Sequence, residues 1–328
     1  MSNLEKIQKG MRVLQILSKI ILIFAIVGVA LASIGAALVA SDVLSMENQF
    51  LHFLSVSAEM SKGQFVGILT AAAISLLSGG ILTAFSVIAA VFTRRITGDK
   101  SEWRISFRVW KNKKLWAFCA FAPSILIVMG TVLYFVLFPE QYSGIFNLGS
   151  LTGTEQVIHI ANPLQFCIIC ILVAAVCIPI QVLELGEEIG WREYLLPKQI
   201  AEYGARKGTL LNGLYWGIAH LPLIYLGFNY SSENAGAPWS NMLMMMLVCV
   251  TIGMICSYVM VYSNNVMYPA IIHGVVNVIG EIPVFISVSG KNGLLGPNPT
   301  GLISMSGLIL CAIIMLIKLP TAKTDMKE

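Results

Sequence analysis

The chain has 328 residues, of which 57% are hydrophobic and only 12% charged, with a mean hydropathy of +0.80. A water-soluble globule of that size cannot hide so much apolar surface, so composition excludes a soluble enzyme or binding module and demands lipid around the chain. The formal net charge of +4 calls for no nucleic-acid partner, because the distribution of Lys and Arg across a membrane accounts for it.

A bilayer core about 30 Å thick needs roughly 20 apolar residues per helical crossing. In chain order the uncharged runs are Ile20 to Ala40, Phe65 to Thr93, Leu115 to Phe138, Leu164 to Leu183, Gly208 to Phe228, Met242 to Tyr262, Val266 to Gly280 and Gly301 to Ile317. They predict an all-α, polytopic transmembrane bundle of about eight spans. The first run follows a basic start and contains Ala30-Leu31-Ala32, but it continues to Ala40, which favours an uncleaved signal anchor over a cleaved signal sequence. Alternating the spans from a cytoplasmic N-terminus puts nearly all Lys and Arg inside and only Lys62 and Lys291 outside, as the positive-inside rule asks. The protein is thus expected to be an integral membrane protein with both termini cytoplasmic.

Between the spans, the loop Arg94 to Lys114 mixes basic residues with Trp103 and Trp110 and reads as a segment lying against anionic headgroups. The connections Ser41 to Gln64 and Pro139 to Pro163 read as outer loops carrying the solvated histidines His52 and His159. Residues Asn229 to Ser240 form a further outer loop. All seven cysteines fall in apolar runs and imply no disulfide framework, and Cys167 and Cys170 read as packing thiols. No internal repeat is evident, which argues against an inverted-repeat transporter. The predicted organisation is N-terminal spans with a basic loop over 1–163, a functional core over 164–290, and a last span with a tail over 291–328.

Ionisable groups inside spans are costly and therefore informative. Three segments carry them. In Glu184 to Glu193, Glu188 and Arg192 are four apart and share a helix face, so the guanidinium can pair with that carboxylate. Glu187 is turned about 100° away and stays free. In the fifth run Trp216 and His220 stand at i and i+4; in the seventh, His273 and Asn277 do. Counted from helix ends near Pro197, Lys207 and Asn265, Glu187, His220 and His273 lie about 15, 20 and 12 Å deep at 1.5 Å per residue, so all three can share one layer. This requires the fourth helix to continue to about Leu196, with a kink at Pro179. Read singly, each segment is also compatible with a charged helix end, a hydrogen-bonded buried histidine or interhelical glue.

Glu187-Glu188-x-x-x-Arg192, Trp216-x-x-x-His220 and His273-x-x-x-Asn277, in this order, resemble the type II CAAX prenyl endopeptidases and their bacterial relatives, the Abi or CAAX protease and bacteriocin-processing (CPBP) group. The motifs span Glu187 to Asn277, and the spans before them carry no matching signature. The second motif usually begins with Phe, where this chain has Trp216. The resemblance implies an intramembrane peptidase in which Glu187 activates water, His220 assists it or holds a metal, His273 and Asn277 stabilise the oxyanion, and Glu188 with Arg192 locks the helix that presents Glu187.

Glu187, His220 and His273 can supply three zinc ligands with a fourth position for water. However, no H-E-x-x-H pair is present and Asn277 is a poor zinc ligand, so the reading leans to a metal-independent glutamate mechanism. The expected substrate is a membrane-associated or lipid-anchored peptide or protein, with the bilayer as the other partner. Two further readings remain: a non-proteolytic regulator or bacteriocin-immunity-type protein with the same fold, and an ion-coupled transporter using Glu187, His220 and His273 as a relay.

Overall fold

The computed structural model describes residues 85–147, 157–176, 178 and 184–320. The first apolar run, most of the second, Cys177 and the expected kink at Pro179 lie outside the described residues. What is described is overwhelmingly helical. Helix α1 covers residues 85–97, and α2, Lys113–Leu137, follows after the basic loop. The side chain of Asn112 caps α2 by accepting the Leu115 N–H at 3.1 Å, which satisfies one of the otherwise orphaned first-turn amides.

The outer connection that the sequence presents as plain loop contains a small hairpin. Strands β1, Ile145–Asn147, and β2, Val157–His159, pair antiparallel with Ile145 opposite His159. This corrects the purely helical expectation. Three-residue strands carry too little period-2 pattern to stand out in an apolar sequence, and His159 is indeed exposed.

Helix α3 is Pro163–Val176. The chain resumes as α4, Leu185–Glu188, passes through a π-helical stretch, Ile189–Leu195, and continues as α5, Leu196–Tyr203. The expected continuous helix to Leu196 is therefore helical in path but changes hydrogen-bond register, with i→i+5 bonding beginning one residue after Glu188. Gly190 sits in this stretch, and a Cβ there would lie 2.6 Å from the Ser86 Cβ on α1. Only glycine lets the two elements approach so closely.

Gly204, at φ +81°, ends α5 and turns the chain into α6, Ala205–Tyr225. Helix α7, Trp239–Ser263, ends on Asn264 in the left-handed conformation, and α8, Met267–Gly280, begins three residues later. The last helix, α9, is Ser306–Lys318. The eighth apolar run thus begins in turns, and its helix starts only at Ser306.

Among the described residues, three helical stretches are long and apolar enough to cross a membrane: Lys113–Leu137, Trp239–Ser263 and Met267–Ile286. Pro163–Ala175 and Ser306–Lys318 are shorter apolar helices. Helix α6 has 21 residues but opens with Arg206 and Lys207 and carries Asn212 and His220, which lowers its apolarity.

Helices α6 and α7 pack against each other most intimately. Gly213 and Gly217, one turn apart on α6, face α7, where added Cβ atoms would come within 2.7 Å of the Val250 Cα and 2.9 Å of the Met246 Cα. Such small-residue stripes let helix backbones approach in a membrane. Helix α8 is buried on nearly every face, so a polar side chain on it must find its partners inside the bundle.

Candidate active site

Helix α4 and the π-helical stretch after it bring two charged residues into the bundle. Arg192 and Glu188 are both 0% exposed, and Arg192 Nη1 donates to Glu188 Oε1 at 2.8 Å. The turn is fixed from α6 by Asn212, whose amide donates to the Trp191 carbonyl at 2.9 Å and to Gln199 Oε1 at 2.8 Å. A π-helical turn re-aims side chains relative to an α-helix and recurs at functional sites.

Helix α8 supplies the next group. His273 is buried, and its Nδ1 lies 3.0 Å from Glu188 Oε1 while its Nε2 lies 3.6 Å from Glu184 Oε2. A carboxylate oxygen with Arg192 already on it can only accept, so Nδ1 carries the proton and Nε2 is the atom left to face outward. Glu188 therefore fixes both the guanidinium and the imidazole through one oxygen.

Helix α6 supplies Trp216 and His220. Trp216 is buried, and its indole Nε1–H donates to Glu187 Oε2 at 2.9 Å. The His273 ring stands edge-on to it at 5.0 Å and the His220 ring at 5.5 Å, while the Arg192 guanidinium lies over its face at 4.2 Å. The quadrupole of the indole favours both the T-shaped rings and the cation on its face. His220 Nδ1 faces the Trp216 carbonyl at 2.9 Å. That oxygen can only accept, so Nδ1 again holds the proton and the neutral ring keeps its lone pair on Nε2.

The three sequence segments thus meet around one indole. Glu187 and His220 are half-buried, whereas Glu188, Arg192 and His273 are buried. The arrangement separates groups at the edge of the cluster from groups buried within it. Asn277 is the exception. It is exposed one turn beyond His273, and among the described residues its side chain makes no hydrogen bond.

Two neighbours escape the motif reading. Glu184, facing His273, was available in the sequence as the residue four before Glu188 on the same helical face. Cys249 Sγ, 3.7 Å from His220 Nδ1, comes from α7 and had no sequence signal. Among the described residues, no three His, Cys, Asp or Glu side chains are grouped so as to hold a metal. The Nδ1 protons of His273 and His220 go to Glu188 and to a carbonyl, which leaves each Nε2 lone pair uncommitted, as in a histidine able to ligate a metal.

Comparison with known proteins bears directly on this cluster. Residues 162–279, which contain every motif residue, match the family model for type II CAAX prenyl endopeptidase Rce1-like. The match leaves more than half of the chain outside it. A stretch of 47 residues is also 36% identical to the CAAX prenyl protease 2 of Methanococcus maripaludis, covering 14% of this chain and 17% of that protein. The chain therefore aligns with less than a fifth of that relative's length. At family level the Rce1-like match agrees with the resemblance carried by the three motifs, and the long apolar helices agree with a protein integral to the membrane.

Proposed function

We propose that the chain is an intramembrane endopeptidase that hydrolyses a peptide bond of a membrane-associated or lipid-anchored substrate. The observation that carries this reading is the Trp216-centred cluster, where a half-buried carboxylate and a half-buried imidazole sit beside a locked Arg192–Glu188–His273 unit, inside the segment that matches an endopeptidase family.

In this reading Glu187 is the general base. It takes a proton from water as the water oxygen attacks the substrate carbonyl carbon, and His220 assists through Nε2. Charge then develops on the carbonyl oxygen, where Asn277 and the imidazolium form of His273, with a second proton on Nε2, act as donors. When the C–N bond breaks, the proton held on Glu187 passes to the leaving nitrogen, giving a carboxylate and an amine. Glu188 and Arg192 are supporting groups, and so is Trp216. No step requires a metal. The chain would form a bundle of about eight spans with both termini in the cytoplasm, which opens the site to that side.

The test compares membrane peptides by mass spectrometry from cells carrying the intact protein and cells carrying Glu187→Gln. General-base removal is expected to lower turnover by about 10²- to 10⁴-fold, so specific cleavage products should disappear. Identical peptide profiles, together with an unchanged cellular phenotype, would point instead to a non-proteolytic membrane regulator.

A further inference from the structure

At the end of α1, away from the Trp216 cluster, the chain folds back on itself. Gly98 adopts φ +65°, a conformation that L side chains rarely take, and so allows residues 99–101 to turn beside the last helical turn. The result is an open concavity of about 400 Å³ lined by Val91, Arg94, Arg95, Asp99, Lys100 and Trp103, among others.

Its charge is unbalanced. Asp99 is the one acidic side chain in the lining, and Lys198 from α5 pairs with it. Arg94 spends its charge on Glu193, with Nη2 at 3.0 Å from each carboxylate oxygen, and stacks 3.8 Å above the Trp103 ring. Arg95 and Lys100 are exposed and have no ion-pair partner among the described residues. Two cations are therefore left facing the concavity. Arg94 itself is only 8% exposed, yet its Nε finds no hydrogen-bond acceptor among the described residues. A buried guanidinium N–H without an acceptor is costly, and an anionic oxygen in the concavity would satisfy it.

The end of a helix normally repels anions. Here the exposed carbonyls are partly covered, since the Asp99 N–H caps the Arg94 carbonyl at 3.0 Å and Thr97 Oγ1 caps that of Thr93 at 2.8 Å.

The surroundings decide between a soluble anion and an amphiphile. Ile88, Phe92 and Ile96 are exposed on α1 and continue the apolar surface from Val91 at the rim, and Trp103 exposes its indole there too. A cationic pocket opening onto an apolar helix face, with an aromatic at the junction, matches a molecule with a charged head and hydrocarbon tails.

We propose that this concavity binds the phosphate of an anionic phospholipid headgroup, with the acyl chains lying along α1. The lipid would then sit one side chain from Glu193, the neighbour of Arg192.

The test uses the delipidated full chain in detergent and native mass spectrometry with phosphatidylglycerol and phosphatidylcholine supplied at equal mole fraction. The intact protein should retain phosphatidylglycerol with a preference of about ten- to thirtyfold, the scale expected for two cations near a headgroup. Arg95→Gln/Lys100→Gln, which alters only exposed side chains, should lose that preference. Lys111→Gln/Lys113→Gln, where the loop meets the start of α2 and off the concavity, should keep it. The proposal is overturned by equal retention of the two lipids, by equal losses in the two double variants, or by displacement of the lipid with millimolar inorganic phosphate, which would mark a free-anion site.

Discussion

Two buried ion clusters flank the same π-helical turn, and their contrast separates holding from acting. Each pairs a glutamate with an arginine that lies over a tryptophan: Glu188, Arg192 and Trp216 on one side, Glu193, Arg94 and Trp103 on the other. In the second cluster, Glu193 accepts from Arg94 with both oxygens and also has Arg104 at 3.6 Å, whose guanidinium donates to the Glu193 carbonyl. It ties the basic loop to the bundle. In the first, one oxygen, Glu188 Oε1, receives both Arg192 and His273, while Glu188 Oε2 and two of the Arg192 nitrogens lack hydrogen-bond partners among the described residues. The cluster whose glutamate accepts on both oxygens is an anchor. The concentrated one makes the position of an imidazole depend on a single salt bridge, so the same pairing chemistry becomes a positioning device.

Removing one partner of a buried pair leaves an uncompensated charge, so Arg192→Leu should destabilise by about 3–5 kcal/mol. Arg94→Leu leaves Glu193 with Arg104 as a remaining counter-charge and should cost roughly half of that by the same reasoning. Thermal unfolding of the purified variants in one detergent checks the order. Equal losses would dissolve the distinction between the two clusters.

The two tryptophans sharpen it further. Trp216→Phe keeps an aromatic ring between the imidazoles but deletes the N–H that Glu187 accepts. A hydrogen bond to a charged group is worth about 1.5–3 kcal/mol, so turnover should fall by roughly 10- to 100-fold with little change in KM. Trp103→Phe, beside the anchor, should leave turnover as it is. A fully active Trp216→Phe protein would mean that the ring, not the donor, is what the site needs.

Part of this was legible in the sequence. The apolar runs Leu115 to Phe138 and Met242 to Tyr262 appear as helices Lys113–Leu137 and Trp239–Ser263, because a membrane helix carries its signal in length and composition alone. The pairing of Glu188 with Arg192 follows from i,i+4 spacing, which survives the change to π-helical bonding. Contacts made between elements were not legible. Trp216 looked like an aromatic substitute for Phe, since nothing local reveals that its N–H meets a carboxylate 29 positions earlier. The Gly213 and Gly217 stripe was present but silent without knowing that α7 lies against it. The hairpin and the π turn are short-range deviations that a hydropathy pattern averages away.

The smallest expected effect lies at the surface, where the pairing of the two clusters recurs without burial. Lys198 and, secondarily, the Ser101 N–H hold the Asp99 carboxyl well below the usual carboxylate range. A group whose folded-state value is depressed stabilises the fold above its unfolded value, near 4, and loses that contribution as pH falls through the folded one. Lys198 is half-exposed, so solvent screening keeps the pair below about 1 kcal/mol. Asp99→Asn should therefore lower stability slightly at neutral pH, with the gap closing in acid and shrinking as salt is raised. The deficits of Arg192→Leu and Arg94→Leu should barely respond to salt, because their pairs are buried. A salt-insensitive Asp99 deficit would instead make this contact part of the anchor, extending it from Glu193 to the rim of the concavity.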